Sequence, residues 1–122
     1  MLEVKTKKLD TVAVLCLQGQ VVNGDTEILR DAVLSQSGTS AVILDFARVR
    51  VVDAHGLGVL LDLRERTHAK GIRFKLMNVP PMIMRVLELT RLDSVFQITS
   101  GVQFSPAKRS RRAPVAALKS CA

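Results

Sequence analysis

AVILDFARVRVVDAHGLGVLL, residues 41–61, decides how this chain is read. Its opening, Ala41 to Phe46, is an apolar run bounded by turn residues and too short for a helix, so it reads as a central strand covered on both faces. The chain then passes through Ala47 to Val52 into Asp53-Ala54-His55-Gly56-Leu57-Gly58. A helix is expected beyond, with Leu57, Leu60, Leu61 and Arg64 along one side and an end near Lys70-Gly71, where glycine suits a C-terminal stop. A buried strand that turns directly into a helix is the unit from which α/β folds are built.

Outward from this unit the same logic extends both ways. Lys5 to Lys8 and Thr11 to Gln18 read as two strands joined at Leu9-Asp10, an opening hairpin. Asp25 is the expected N-cap of a helix whose stripe is Ile28, Leu29, Ala32 and Val33, closed by Ser37-Gly38. Toward the C-terminus, Ile72 to Met77 alternates with the period of a strand near the sheet edge. Pro80 and Pro81 then reset the chain into a short helix carrying Ile83, Val86, Leu87 and Thr90. Val95 to Thr99 adds a last strand. The order β-β-α-β-α-β-α-β predicts an α/β fold: a small mixed, mostly parallel sheet packed by helices. No internal repeat is present.

Composition narrows the function classes. The 122 residues are 48% hydrophobic but hold four Phe and no Trp or Tyr, so the core is expected to be aliphatic. The net charge of +7 is concentrated at one end. Residues 105–122 carry five cations (Lys108, Arg109, Arg111, Arg112, Lys119) and no acid, whereas residues 1–104 carry 13 Lys and Arg against 11 Asp and Glu. One domain over 1–104 and a basic, disordered tail over 105–122 are expected. No apolar run approaches the roughly 20 residues of a membrane span and no secretory signal opens the chain, which points to the cytoplasm without membrane insertion. Cys16 lies in an apolar strand and Cys121 in the polar tail, unlike settings that argue against a structural disulfide.

Motifs for catalysis are missing. There is no nucleophile with a base, no carboxylate pair in an apolar pocket, and no lysine behind Gly56-Leu57-Gly58 to make a phosphate loop. Neither cofactor nor metal is expected: His55 stands thirteen positions from His68, and it reads as a surface histidine rather than a ligand. Asp53 is placed to cap the helix that follows.

Four segments together resemble the STAS domain, and within it the bacterial anti-sigma factor antagonists. They are Leu15-Cys16-Leu17-Gln18-Gly19-Gln20-Val21, Val42-Ile43-Leu44-Asp45-Phe46, Val52-Asp53-Ala54-His55-Gly56-Leu57-Gly58, and Pro81 with Arg85 and Leu92. The resemblance implies a protein-binding regulator of transcription by partner switching. Its implied partner is an anti-sigma factor or ATPase-fold serine/threonine kinase, and its docking residues are Asp53, Ala54, His55, Gly56, Leu57 and Gly58. It also implies a monomer or weak dimer. In that family a Ser or Thr in the loop accepts phosphate from the kinase; here the acceptor position holds Ala54, with His55 beside it, and neither takes the ordinary phosphate. Gln20, Val22 and Arg91 are further departures, the last replacing a frequent glycine. Two other readings stand beside this one: an accessory subunit of a phospholipid-transport ABC system, and nucleic-acid binding through the basic tail by charge attraction, although no specific nucleic acid is expected as a partner.

Overall fold

The computed structural model describes residues 1–99. Eight regular elements follow in chain order, with a short 3-10 turn before the last: β1 (Leu2–Leu9), β2 (Val12–Val21), α1 (Glu27–Leu34), β3 (Ala41–Val52), α2 (Ala54–Ala69), β4 (Arg73–Met77), α3 (Pro81–Leu89), the turn Leu92–Ser94, and β5 (Gln97–Thr99). The expected element order is borne out. The strands lie in the order β1-β2-β3-β4-β5, β1 antiparallel to β2 and all later neighbours parallel. Because each parallel strand is placed beside the preceding one, right-handed crossovers put every helix on one side of the sheet. The main core accordingly joins Leu15, Leu17, Val42, Leu44, Phe46, Phe74 and Leu76 of the sheet to Leu29 and Val33 of α1, Val59, Leu60 and Leu63 of α2, and Ile83 and Leu87 of α3.

β3 is longer than its sequence suggests. The run after Phe46 is strand through Val52, and its pairing with β2 slips twice, between Cys16 and Gln18 and again between Gly19 and Gln20. Each slip places an extra residue on β3, which bends the strand and changes which residues face inward. Phe46 and Val49, three apart, both reach the core as a result.

Several local expectations are corrected. Asp25 does not cap α1: the helix starts one residue later, behind Thr26, and the Asp25 carboxylate instead lies 3.3 Å from the Met1 amino group. The helix ends at Leu34, before Ser37-Gly38. In α2 the buried line is Gly56, Val59, Leu60, Leu63 and Thr67. Leu57, Leu61 and Arg64 are only half-buried at its flank. β4 is an interior strand, with β5 at the edge. Gly71 stops α2 at φ +75, as expected. Arg91 takes the left-handed conformation that glycine favours, with φ 64 and ψ 20, so this turn places a side chain in a strained backbone region. Cys16 is disulfide-bonded, against the expectation from its setting. The run Val12–Leu17 is not buried as one unit; Cys16 projects away from Leu15 and Leu17 to the opposite face of the sheet. The tail, 105–122, lies outside the described residues.

Candidate functional site

β2, β3 and β4 each end in a loop that leads to a helix, so the starts of α1, α2 and α3 gather at the carboxyl end of the parallel strands, where ligands of open α/β sheets commonly bind. Asp53 organises this end. Its backbone is extended and its Oδ1 accepts from the Gly56 amide at 2.8 Å, capping α2 as the sequence implies. Oδ2 accepts from the Asn23 amide at 3.0 Å, in the loop after β2. The amides of Asn23 and then Gly56 hold the Asp53 carboxyl below its ordinary range, since hydrogen bonds to the charged form favour it. The Asp53 amide donates to the Val21 carbonyl at 3.3 Å. One aspartate thus fastens two loops together, a role that capping logic alone does not reveal because Asn23 is remote in sequence.

Gly56 completes the latch. It is buried against β2, and a Cβ there would stand 2.9 Å from the Val21 carbonyl carbon, 3.1 Å from Val21 Cγ1, and far inside contact with the Val21 carbonyl oxygen. Only glycine lets the helix approach so closely. Gly58 differs: it is exposed and has open space where a Cβ would go. The six residues of the loop therefore divide. Ala54, His55 and Gly58 are exposed, Asp53 and Leu57 half-buried, and Gly56 buried.

Thr26 is a residue the sequence reading missed. It is buried at the start of α1, makes no side-chain cap bond, and places its hydroxyl 3.3 Å from His55 Nε2. His55 is thus a surface histidine that also ties the start of α2 to that of α1. Farther along the two helices, Arg30 and Arg66 both bond Asp62 Oδ2, at 2.7 and 3.0 Å. Arg30 foremost lowers the Asp62 carboxyl, with Arg66 adding to it.

Three of the five large apolar side chains exposed among the described residues belong to elements that meet at this end of the sheet: Ile28 in the first turn of α1 (46% exposed), Val51 near the end of β3 (44%) and Met82 in the first turn of α3 (75%). Among the described residues no group of three or more His, Cys, Asp or Glu is arranged to hold a metal, and no helix is long and apolar enough to cross a membrane.

Comparison with known proteins gives one consistent result. BtrV of Bordetella bronchiseptica, named as a candidate anti-sigma factor antagonist, is 28% identical over 114 residues, covering 92% of this chain and 90% of BtrV. A crystal structure from Thermotoga maritima, of a protein likewise described as a candidate anti-sigma factor antagonist, superposes with a TM-score of 0.72 at 23% identity, over 79% of this chain and 85% of that one. SpoIIAA, a Bacillus cell fate determinant solved in its phosphorylated form, gives 0.65 at 19% identity, over 83% and 93%. At these identities the structures attest the fold alone. The STAS domain family matches residues 3–105, nearly the whole of the sheet and its helices, and the chain belongs to that family.

Proposed function

We propose that this chain is a protein-binding regulator of the anti-sigma factor antagonist type. It docks the exposed part of its 53–58 loop, with the apolar rim of Ile28, Val51 and Met82, on an anti-sigma factor or related ATPase-fold kinase. The observation that carries the reading is the position of Ala54: the first residue of α2, exposed, and next to Asp53, whose carboxylate joins the loop after β2 to the head of α2. BtrV and SpoIIAA are described as regulators of this kind, and SpoIIAA is known in a phosphorylated form. A phosphate at the head of α2 would add close to two negative charges in the middle of an otherwise apolar contact. Ala54 has no hydroxyl to carry it, so in this reading the protein binds without that off-switch, as a constitutive competitor in the cytoplasm.

The test is affinity capture from the source-cell lysate by the full chain, with mass spectrometry of what is retained, beside Ala54→Asp and Ala54→Ser. The expected catch is an anti-sigma factor of kinase fold. Ala54→Asp weakens its binding about tenfold or more, because a charge at the centre of a docking surface is desolvated without a partner. Ala54→Ser becomes a phosphorylation substrate of the captured kinase. Retention of transporter subunits, or unchanged binding by Ala54→Asp, overturns the assignment. Nucleic-acid binding through the tail concerns residues outside the described region, and the relatives named above do not favour it.

A further inference from the structure

The corner of the sheet between α2 and β5 is left open by the lengths of the elements around it. β5 has three residues, paired with Lys75, Leu76 and Met77, so among the described residues Arg73 and Phe74 at the start of β4 have no strand partner on that side. α2 has 16 residues and α3 nine, about 24 Å against about 14 Å, so α3 is too short to flank α2 along its whole length. A cavity of about 370 Å³ opens there, between the second half of α2, the start of β4 and the segment that enters β5. It lies toward the amino ends of β4 and β5, at the opposite end of the sheet from the 53–58 loop.

Three basic side chains line this cavity above an apolar floor. Arg64 and His68 stand one turn apart on α2, and Arg73 opens β4. No lining residue is acidic. Among the described residues none of the three side chains makes a hydrogen bond or ion pair, whereas Arg66 on the same helix is paired with Asp62. His68 lies in the last turn of α2, where the helix end itself favours a cation. That account does not reach Arg64, a turn earlier and half-buried, or Arg73, beyond the helix. The floor is Phe74 and Phe96, 6% and 4% exposed, with ring centroids 6.3 Å apart. Ile72 and Val95, both half-buried, extend it.

We propose that this cavity binds a small organic anion, one carboxylate or phosphate group on a compact apolar body, with the head held by Arg64, His68 and Arg73 and the body laid on Phe74 and Phe96. Small-molecule sites have this make-up, mostly apolar with a few converging polar groups, and their volumes begin near about 300 Å³. Arginine donates paired N–H groups to carboxylate and phosphate alike, and an imidazole has an N–H to donate in either protonation state. With no acid in the lining, nothing repels the anion or competes for the cations. Arg64 stands ten residues along α2 from Ala54, about 15 Å, so the cavity is separate from the 53–58 loop. Binding here requires nothing of the docking surface, and both can be occupied at once.

Amide NMR of the isotope-labelled full chain provides the test. Phenylacetate and phenyl phosphate are titrated side by side, with inorganic phosphate and phenol as the separate halves. Saturable shifts are expected at the amides of Arg64, His68, Phe74, Phe96 and Gln97 with at least one of the two whole ligands, the tighter of which identifies the head group. Each half alone should bind about tenfold more weakly or not at all, since it keeps only one of the two kinds of contact. Arg64→Gln should weaken binding about tenfold, the loss of a charge-assisted hydrogen bond, and Arg64→Lys should keep part of the affinity. Amides far from the cavity report whether a variant keeps the fold, and Arg73→Gln, at an exposed position, is the second variant if Arg64→Gln does not. No saturation at millimolar ligand, shifts confined to the 53–58 loop, inorganic phosphate binding as tightly as phenyl phosphate, or unchanged affinity in a folded glutamine variant would each overturn the proposal.

Discussion

Gly56 and Gly58 stand two positions apart in the first turns of α2, and replacing each by alanine should change stability in opposite directions. In an ordinary helix Gly→Ala stabilises by about 1 kcal/mol. Gly58 meets that condition, having nothing within 4 Å of an added Cβ. At Gly56 the same methyl is driven into the Val21 carbonyl, with the carbonyl carbon at 2.9 Å and Cγ1 at 3.1 Å. Normal carbon to carbonyl contacts begin near 3.3 Å, so the head of α2 has to retreat by about 1 Å. Backbone shifts of that kind cost about 1–3 kcal/mol. The retreat also stretches the Asp53 amide bond to Val21 (3.3 Å) and the Asn23 bond to Asp53 (3.0 Å), at about 1 kcal/mol each for a hydrogen bond lost. Against the helix-propensity gain of about 1 kcal/mol, Gly56→Ala is expected to destabilise by about 2–4 kcal/mol, a fall in Tm of about 10–25 °C for a domain this size. The chain has no Trp or Tyr, so urea denaturation is best followed by far-ultraviolet circular dichroism. Gly58→Ala should raise the midpoint in the same assay. Shifts of the same sign, or a Gly56→Ala value within about 0.5 kcal/mol of zero, would refute the close-approach argument.

Asp53→Asn should destabilise the fold at neutral pH. The native Asp53 carboxyl is held below the ordinary aspartate range, so its contribution is complete above the unfolded-state pKa and disappears as pH falls through the lower folded value; the stability gap between wild type and variant should start to narrow near about pH 4 and shrink steadily below it, and a gap that stays constant as the pH falls contradicts the charged-cap account. Asp62→Asn removes the acceptor shared by Arg30 and Arg66; these groups are partly exposed, so the loss should stay under about 1 kcal/mol and shrink further in molar salt, as denaturation at two ionic strengths would show. Arg91→Gly should stabilise by about 1 kcal/mol by relieving the left-handed backbone, visible as a higher Tm; no gain would mean that the Arg91 side chain makes an offsetting contact.

What the sequence discloses and what it withholds follow from the range of the interactions involved. The order of elements, the Asp53 cap and the Gly71 stop are local, set by periodicity and capping chemistry, and were legible from residues close in the chain. The twofold slip of β3 against β2 was not, because a bulge is a property of two strands; the residues Ala47 to Val52 alone show only a polar and apolar mixture. Asp25 departs from the capping rule for a related reason: it has the better capping side chain, but the Met1 amino group competes for its carboxylate, and Thr26 takes the cap position with its hydroxyl paired to His55 Nε2. In α2 the leucines suggest the amphipathic line, whereas the small residues Gly56 and Thr67 also belong to the buried stripe. Burial there is decided by how closely the helix meets the sheet, which hydrophobicity does not encode.

The site separates the residues that make the family recognisable from the residue that would regulate it. Asp53 and Gly56 are fixed by geometry: one joins the loop after β2 to the head of α2, and the other permits the contact that brings them together. Substitution at either disturbs the loop itself. Ala54 lies between them, yet its side chain is exposed at the first helical position and takes no part in either constraint. Serine, threonine and alanine are all compatible with that backbone, so under the proposed function this position can lack a phosphate acceptor while the proposed docking surface keeps its shape. Family membership therefore carries over the architecture of the site and leaves its control open, and the Ala54 variants measure control separately from fold. If Ala54→Ser and Ala54→Asp unfold within about 0.5 kcal/mol of wild type while differing in partner binding, the two properties are independent here; a large stability change in either would place residue 54 among the groups that hold the loop.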